Sequence, residues 1–295
     1  MMRKFILDLT VKAVDRVHER YVLLRLTHDA PLPTMLPGQF VEVRVDGAEN
    51  TFLRRPISIN YVDYEENELW LLVACVGNGT RRLAALRPGD TLNCVLPLGN
   101  GFSLPLTSSD LPKAEKTHVE PGGELSYANP SSSLRSSGKV LLVGGGVGVA
   151  PLLYLGAVLK EQGVEPTFLL GARTKNDLLL LGEFEKYGRV LVTTEDGSMG
   201  EKGFVTNHSV LEQERFDLIQ CCGPTPMMKA VARYASSKVI SCEVSLENLM
   251  ACGLGACLCC VEKVKASPLG TLGETNVCVC KEGPVFNINR LLWQS

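Results

Sequence analysis

The sequence predicts a multi-domain fold: an N-terminal antiparallel β-barrel, a central parallel α/β domain and a small C-terminal domain. Three observations carry this. Residues 1–106 hold short strand-like segments divided by turn residues. From Lys139 strands alternate with helices. Near the C-terminus, six of the 11 cysteines fall within 29 residues.

In the first domain, residues 11–17, 21–26, 39–45, 57–61, 69–76 and 91–95 are rich in Val, Leu, Ile, Tyr and Thr. Pro37-Gly38, Asp46-Gly47 and Pro88-Gly89-Asp90 punctuate them. Six short strands at this spacing suit a barrel or sandwich. Arg82–Arg87 reads as one short helix. Residues 107–138 hold eight Ser and little that is apolar, which marks an exposed insertion.

The second domain, 139–238, opens with a buried strand at Val140–Val143. A glycine loop leads into a helix from Pro151 to about Gln162. Pro suits a first helical position and Gly163 a stop. Strands follow at 167–170, 190–194 and 217–221, with helices at 177–187 and 224–236. Ligands of such sheets bind at the carboxyl ends of the strands. Residues 239–295 form the cysteine-rich third segment.

Composition narrows the function. At 295 residues, 45% hydrophobic and 21% charged, the chain is neither disordered nor fibrous. A net charge of −2 offers no basic surface for nucleic acid or anionic lipid. Residues 1–14 hold no apolar run of signal-peptide length, and no stretch is long enough to span a bilayer. A cytoplasmic location is therefore expected. Clustered cysteines there read as metal ligands or redox groups rather than disulfides.

Cys252, Cys257 and Cys260 are spaced C-x4-C-x2-C, the plant-type [2Fe–2S] spacing with a distant fourth cysteine. Small residues Gly253, Gly255 and Ala256 let the backbone wrap tightly. Cys278 or Cys280 would be the fourth ligand. Zinc is the competing metal, although its sites more often pair two C-x2-C knuckles. Cys259 is out of register.

Arg55-Pro56-Ile57-Ser58 ends a strand, where an arginine can pair with phosphate and a hydroxyl can reach a ring nitrogen. Gly79-Thr80 offers a backbone N–H and a hydroxyl to the same group. Gly144-Gly145-Gly146-Val147-Gly148 follows a buried strand and leads to Pro151. That context suits a phosphate-cradling loop or simply a tight strand–helix turn. Cys222-Gly223-Pro224 places a small thiol at the same sheet edge. Arg173 and Lys175 could meet a nucleotide 2′-phosphate or form a solvated turn.

In this order, Arg-Pro-x-Ser, Gly-x-Gly-Thr, Gly-Gly-x-Gly-x-x-Pro and Cys-Gly-Pro resemble the ferredoxin–NADP reductase superfamily. Three C-terminal stretches narrow the likeness: Ser245-Leu246-Glu247, Met250–Cys257 and Cys280–Phe286. They resemble the dihydroorotate dehydrogenase B electron transfer subunits. The resemblance implies a flavin-binding barrel, a pyridine-nucleotide domain and a [2Fe–2S] domain. It implies FAD at Arg55, Pro56, Ile57, Ser58, Leu72, Val73, Ala74, Gly79 and Thr80. It places NAD(H) phosphates at Gly144, Gly145, Gly146, Gly148 and Pro151, and the nicotinamide near Cys222, Gly223 and Pro224, with Cys222 as the catalytic candidate. Cluster ligands would be Cys252, Cys257, Cys260 and Cys280, the last because it precedes Lys281-Glu282-Gly283-Pro284. The family usually carries an aromatic and a basic residue where Val73 and Ala74 stand. Here, contact with FAD at those positions would come from the backbone.

The implied activity is electron transfer between NAD and an FMN-containing catalytic partner that oxidises dihydroorotate, in a heterotetramer serving pyrimidine biosynthesis. Two alternatives stand beside it. One is the small subunit of another NAD(P)H oxidoreductase, of ferredoxin–NADP or hydrogenase type. The other is a zinc-stabilised nucleotide-binding regulator.

Overall fold

The computed structural model describes residues 3–104, 138–266 and 273–294. All of the expected insertion 107–138 except Gly138 lies outside them.

Six strands close a barrel: β1 (Phe5–His18), β2 (Tyr21–Thr27), β3 (Phe40–Val43), β4 (Arg55–Asp63), β5 (Glu68–Ala74) and β6 (Thr91–Leu98). Their order round the barrel is β1-β2-β5-β4-β3-β6, with every pairing antiparallel. Alternation sends Leu9, Val11, Val41, Val43, Ile59, Leu71 and Val73 into the barrel core. The short helix α1 (Asn78–Leu83) begins four residues before the position expected for it. The Thr80 hydroxyl starts it early by accepting N–H bonds from Val76 and Gly77.

The second domain runs β7 (Val140–Gly145), α2 (Ala150–Glu161), β8 (Thr167–Ala172), α3 (Leu181–Phe184), β9 (Arg189–Thr194), β10 (Glu201–Lys202), α4 (Val210–Gln213), β11 (Leu218–Cys222), α5 (Thr225–Ser237) and β12 (Ser241–Ser245). The expected helix 177–187 survives only as α3. Leu180 adopts a left-handed backbone at φ 56°, and Asp177 bonds to Thr174 and Arg20 instead of capping a helix.

Beyond Ser245 come β13 (Val261–Lys265), β14 (Glu274–Cys278), α6 (Val279–Glu282) and β15 (Val285–Asn287). Strands β13 and β14 form a separate antiparallel pair. The central sheet has the order β10-β9-β8-β7-β11-β12-β15, parallel except for β15. Two strands from residues 239–295 thus complete the sheet of the preceding domain.

Barrel and α/β domain share buried contacts. Leu23 and Leu72 pack in one apolar cluster with Leu152, Leu153 and Phe168. The Asn60 side chain donates to the Ala150 carbonyl at 2.8 Å, and the Tyr154 hydroxyl to the Met35 carbonyl at 3.1 Å. The carboxyl ends of β7, β8 and β9 thereby face a cavity that barrel residues Arg20 and Tyr21 help to line.

Candidate functional site

Arg54 and Arg55 are adjacent but differ in commitment. The Arg54 guanidinium donates to the carbonyls of Glu42 and Asn93 and bonds the Asn93 side chain, so it braces strands. Arg55 curls over the carbonyls of Leu53 and Arg54. Its Nε lies 3.1 Å from where a Cβ on Gly79 would sit. The fold therefore brings Arg55 and the Gly79-Thr80 turn together. The Thr80 hydroxyl, by contrast, is used within its own turn: it accepts from Val76 and Gly77 and donates to the Gly77 carbonyl. Pro56 and Ser58 face the same side of β4 as Asn60, and Ile57 packs toward the barrel core. Val73 also points into that core, so only its backbone faces outward, while Leu72 packs toward the α/β domain.

A cavity of about 550 Å³ lies at the carboxyl ends of β7, β8 and β9. Gly145, Gly146 and Pro224 line it, joined by Pro226 and Met227 at the start of α5. The two loops meet closely: a Cβ on Gly148 would fall 2.4 Å from Gly223 Cα. Gly144, Gly148, Pro151, Cys222 and Gly223 support this wall from behind, and the cavity lining does not include them. A single 3₁₀ turn, Gly146–Val149, separates Gly144 and Gly145 from α2, so Pro151 stands one turn beyond them. Burial pushes the Cys222 thiol well above its usual range, so it stays protonated.

The cavity has a charged rim that sequence reasoning largely missed. Arg20, Asp177 and Glu195 line it with Arg173, and the exposed Phe204 ring stands beside them. Arg20 and Asp177 are 157 residues apart, and nothing local in the sequence signals their pairing. Lys175 instead donates its backbone N–H to the Ser198 hydroxyl.

The cysteines sort themselves by hydrogen bonding. Cys252 Sγ accepts N–H bonds from Leu254 and Cys257 at 3.3 and 3.4 Å. Cys257 Sγ accepts from Cys259, Cys260 Sγ from Cys280, and Cys280 Sγ from Gly255 at 3.1 Å. Backbone N–H groups aimed at sulfur favour thiolates. Burial opposes ionisation of Cys252, but the N–H groups of Leu254 and Cys257 and the Cys257 thiol outweigh it, bringing the group down to about 6. Cys252 bonds Cys257, and Cys260 bonds both Cys278 and Cys280. Burial and the Cys260 thiol push Cys280 up to about 12. Cys278 behaves differently from all four, since its thiol donates to the Gly255 carbonyl at 3.8 Å.

Among the described residues, no three His, Cys, Asp or Glu side chains converge as a single-ion site. A two-iron cluster needs four protein sulfurs, two for each iron, and four here accept backbone N–H bonds. The donor set fits such a cluster.

Comparison with known proteins agrees. Residues 247–292 match the family model described as the iron–sulfur cluster binding domain of dihydroorotate dehydrogenase B. Residues 142–233 match the oxidoreductase NAD-binding domain. The dihydroorotate dehydrogenase B (NAD(+)) electron transfer subunit of Shouchella clausii is 37% identical over 87% of this chain and 86% of its own. The subunit of the same name from Bacillus velezensis is 35% identical over 94% and 95%. Among solved structures, a chain from the NADH-dependent reduced ferredoxin–NADP oxidoreductase superposes with TM-score 0.75 at 30% identity. That match covers 97% of this chain and 90% of the other. The barrel, the glycine-lined cavity and the clustered cysteines thus have one common explanation: the chain belongs to the family of dihydroorotate dehydrogenase B electron transfer subunits.

Proposed function

We propose that this chain passes electrons between NAD and a catalytic partner subunit through FAD and a [2Fe–2S] cluster, with Cys252, Cys257, Cys260 and Cys280 as the cluster ligands. The observation that carries the reading is the set of backbone N–H groups donated to the sulfurs of these four cysteines. Cys280 rather than Cys278 completes the set, because its sulfur accepts an N–H bond where that of Cys278 donates.

When bound, FAD exchanges electron pairs with a nicotinamide as hydride and single electrons with a cluster, so it belongs between them. The residues then divide the work. Arg55 and the Gly79 backbone meet the flavin pyrophosphate. Pro56, Ser58 and the backbones of Val73 and Ala74 orient the ring system. Gly145, Gly146 and the start of α5 hold the nucleotide phosphates. Gly144, Gly148, Pro151 and Gly223 keep that wall close-packed. Cys222 is a neutral filler beneath the nicotinamide subsite and moves no proton.

We divide the chain into a flavin barrel (1–106), an insertion (107–138), a nucleotide domain (139–238) and a cluster segment (239–295) that lends β12 and β15 to the central sheet. The partner we assign is an FMN-containing subunit that oxidises dihydroorotate, in a two-plus-two heterotetramer. No helix among the described residues is long and apolar enough to cross a membrane. A reducing cytoplasm suits eleven cysteines that are all free.

The test is anaerobic mixing of the reconstituted chain with its partner. Dihydroorotate should reduce both cluster and flavin, and NAD+ should reoxidise them. An Arg55→Ala variant should purify with reduced flavin content. A colourless, zinc-loaded protein would end the reading. The ferredoxin–NADP oxidoreductase match supports a second reading, electron exchange with a small iron–sulfur protein. Rapid NADH-driven reduction of ferredoxin without response to dihydroorotate would favour it.

A further inference from the structure

Arg20 sits at the turn between β1 and β2, on the barrel. Its Nη2 donates to Asp177 Oδ1 at 2.6 Å, across the boundary with the α/β domain. Asp177 lies in the turn after β8, where the Thr174 hydroxyl donates to its other oxygen at 2.9 Å. Arg20 is steadied in turn by the Tyr21 ring, 5.9 Å from its guanidinium carbon. Burial works against the Asp177 charge, yet Thr174 and Arg20 outweigh it and hold the carboxyl below its usual range. Both residues line the cavity that holds Gly145 and Gly146.

The position of the pair is what calls for explanation. A half-exposed ion pair adds little to stability. The buried bonds from Asn60 and Tyr154 already join the two domains beside α2. Arg20–Asp177 ties a different edge, the one bordering the cavity. The flavin strand β4 belongs to the barrel and the nucleotide wall to the other domain. Hydride exchange needs its two partners within roughly 3–3.5 Å, and a misplacement of about 1 Å can cost up to a hundredfold in rate.

We propose that Arg20 and Asp177 are a positioning pair for hydride exchange between NAD(H) and FAD. The pair sets the width of the cleft between flavin barrel and nucleotide domain. It exchanges neither proton nor electron itself. This rests on the reading above, in which FAD occupies the barrel and NAD(H) the cavity.

The test uses the full-length, flavin-loaded complex with its partner, mixed anaerobically with NADH and followed by flavin absorbance. Arg20→Ala and Asp177→Asn should each slow flavin reduction at saturating NADH by roughly tenfold. The half-saturating NADH concentration should move less than about twofold, with flavin content and visible spectrum unchanged. The charge swap Arg20→Asp with Asp177→Arg should recover at least half of the lost rate. Wild-type reduction should slow toward the single variants at about 1 M salt, where screening reaches about 3 Å. A swap no faster than either single variant would overturn the proposal. So would a loss confined to half-saturation, which would make Arg20 a direct nucleotide ligand. If wild-type flavin were not reduced by NADH at all, the underlying reading would fail instead.

Discussion

Glu42 of the barrel packs directly against Gly253 of the cysteine loop. A Cβ built on Gly253 would lie 2.6 Å from Glu42 Cγ and 3.2 Å from its Oε1. The Glu42 side chain shares the outward face of β3 with Phe40 and is paired across the ladder with Pro56. It is fully buried, and neither carboxyl oxygen has a hydrogen-bond partner. One buried side chain of β3 thus touches the loop that carries Cys252.

Gly253 tolerates no side chain on two grounds. Its φ is +66°, and the space a Cβ needs is filled by Glu42 and by Leu98 Cδ1 at 2.9 Å. Gly253→Ala should lower cluster occupancy well below that of wild type while FAD remains bound. Iron and flavin content per chain check this directly.

Glu42 predicts a pH dependence. Burial, with Cys252 nearby, outweighs Arg54 and Arg55 and raises its carboxyl to about 7 from an ordinary 4.5. Between those values the folded chain holds a proton that the unfolded chain has released. Stability should therefore fall as pH rises from about 4.5 to about 7, by up to about 3 kcal/mol, and then level off. Glu42→Gln should remove that slope and be the more stable protein above pH 7. Urea unfolding across this range would show it, and an unchanged slope would rule it out.

The cysteine set makes a graded prediction. Cys257→Ser should abolish the cluster and leave FAD in place, and Cys280→Ser should do the same. Cys278→Ser and Cys259→Ser should keep both. Visible and electron paramagnetic resonance spectra of the four reduced variants separate these outcomes. Full cluster occupancy in Cys280→Ser together with loss in Cys278→Ser would transfer the fourth ligand to Cys278.

Gly148 meets Gly223 backbone to backbone. With 2.4 Å available to a Cβ, Gly148→Ala must push the two loops apart. NADH affinity should weaken by an order of magnitude or more, with FAD and cluster content unaffected. Titration of flavin absorbance with NADH would measure it.

Much of this was legible in the chain because the signals are local. Pro37-Gly38 and Pro88-Gly89 mark strand ends through their own backbone preferences. Val140–Val143 announces a buried parallel strand by having no polar residue. The C-x4-C-x2-C spacing places three sulfurs within reach of one another whatever surrounds them. The helix expected at 177–187 failed because Leu178-Leu179-Leu180 serves tertiary packing, with Leu179 buried beneath a left-handed Leu180. The preference proposed for Cys280 over Cys278 rests on the direction of two hydrogen bonds, which spacing does not encode. The Arg20–Asp177 bridge and the Glu42–Gly253 contact join residues from different domains, and their formation depends on how the domains dock.

The path of the chain between β12 and β15 bears on how electrons travel. It leaves the central sheet at Ser245, forms the cysteine loop and the β13–β14 hairpin, and returns at Val285 to pair with the strand it left. Both ends of this excursion thus lie in neighbouring strands of one sheet, and its cysteine loop is pressed onto the barrel at Glu42. Such a carrier works as a fixed wire rather than a swinging arm. Its transfer rate should be set by distance and driving force, and should respond little to solvent viscosity.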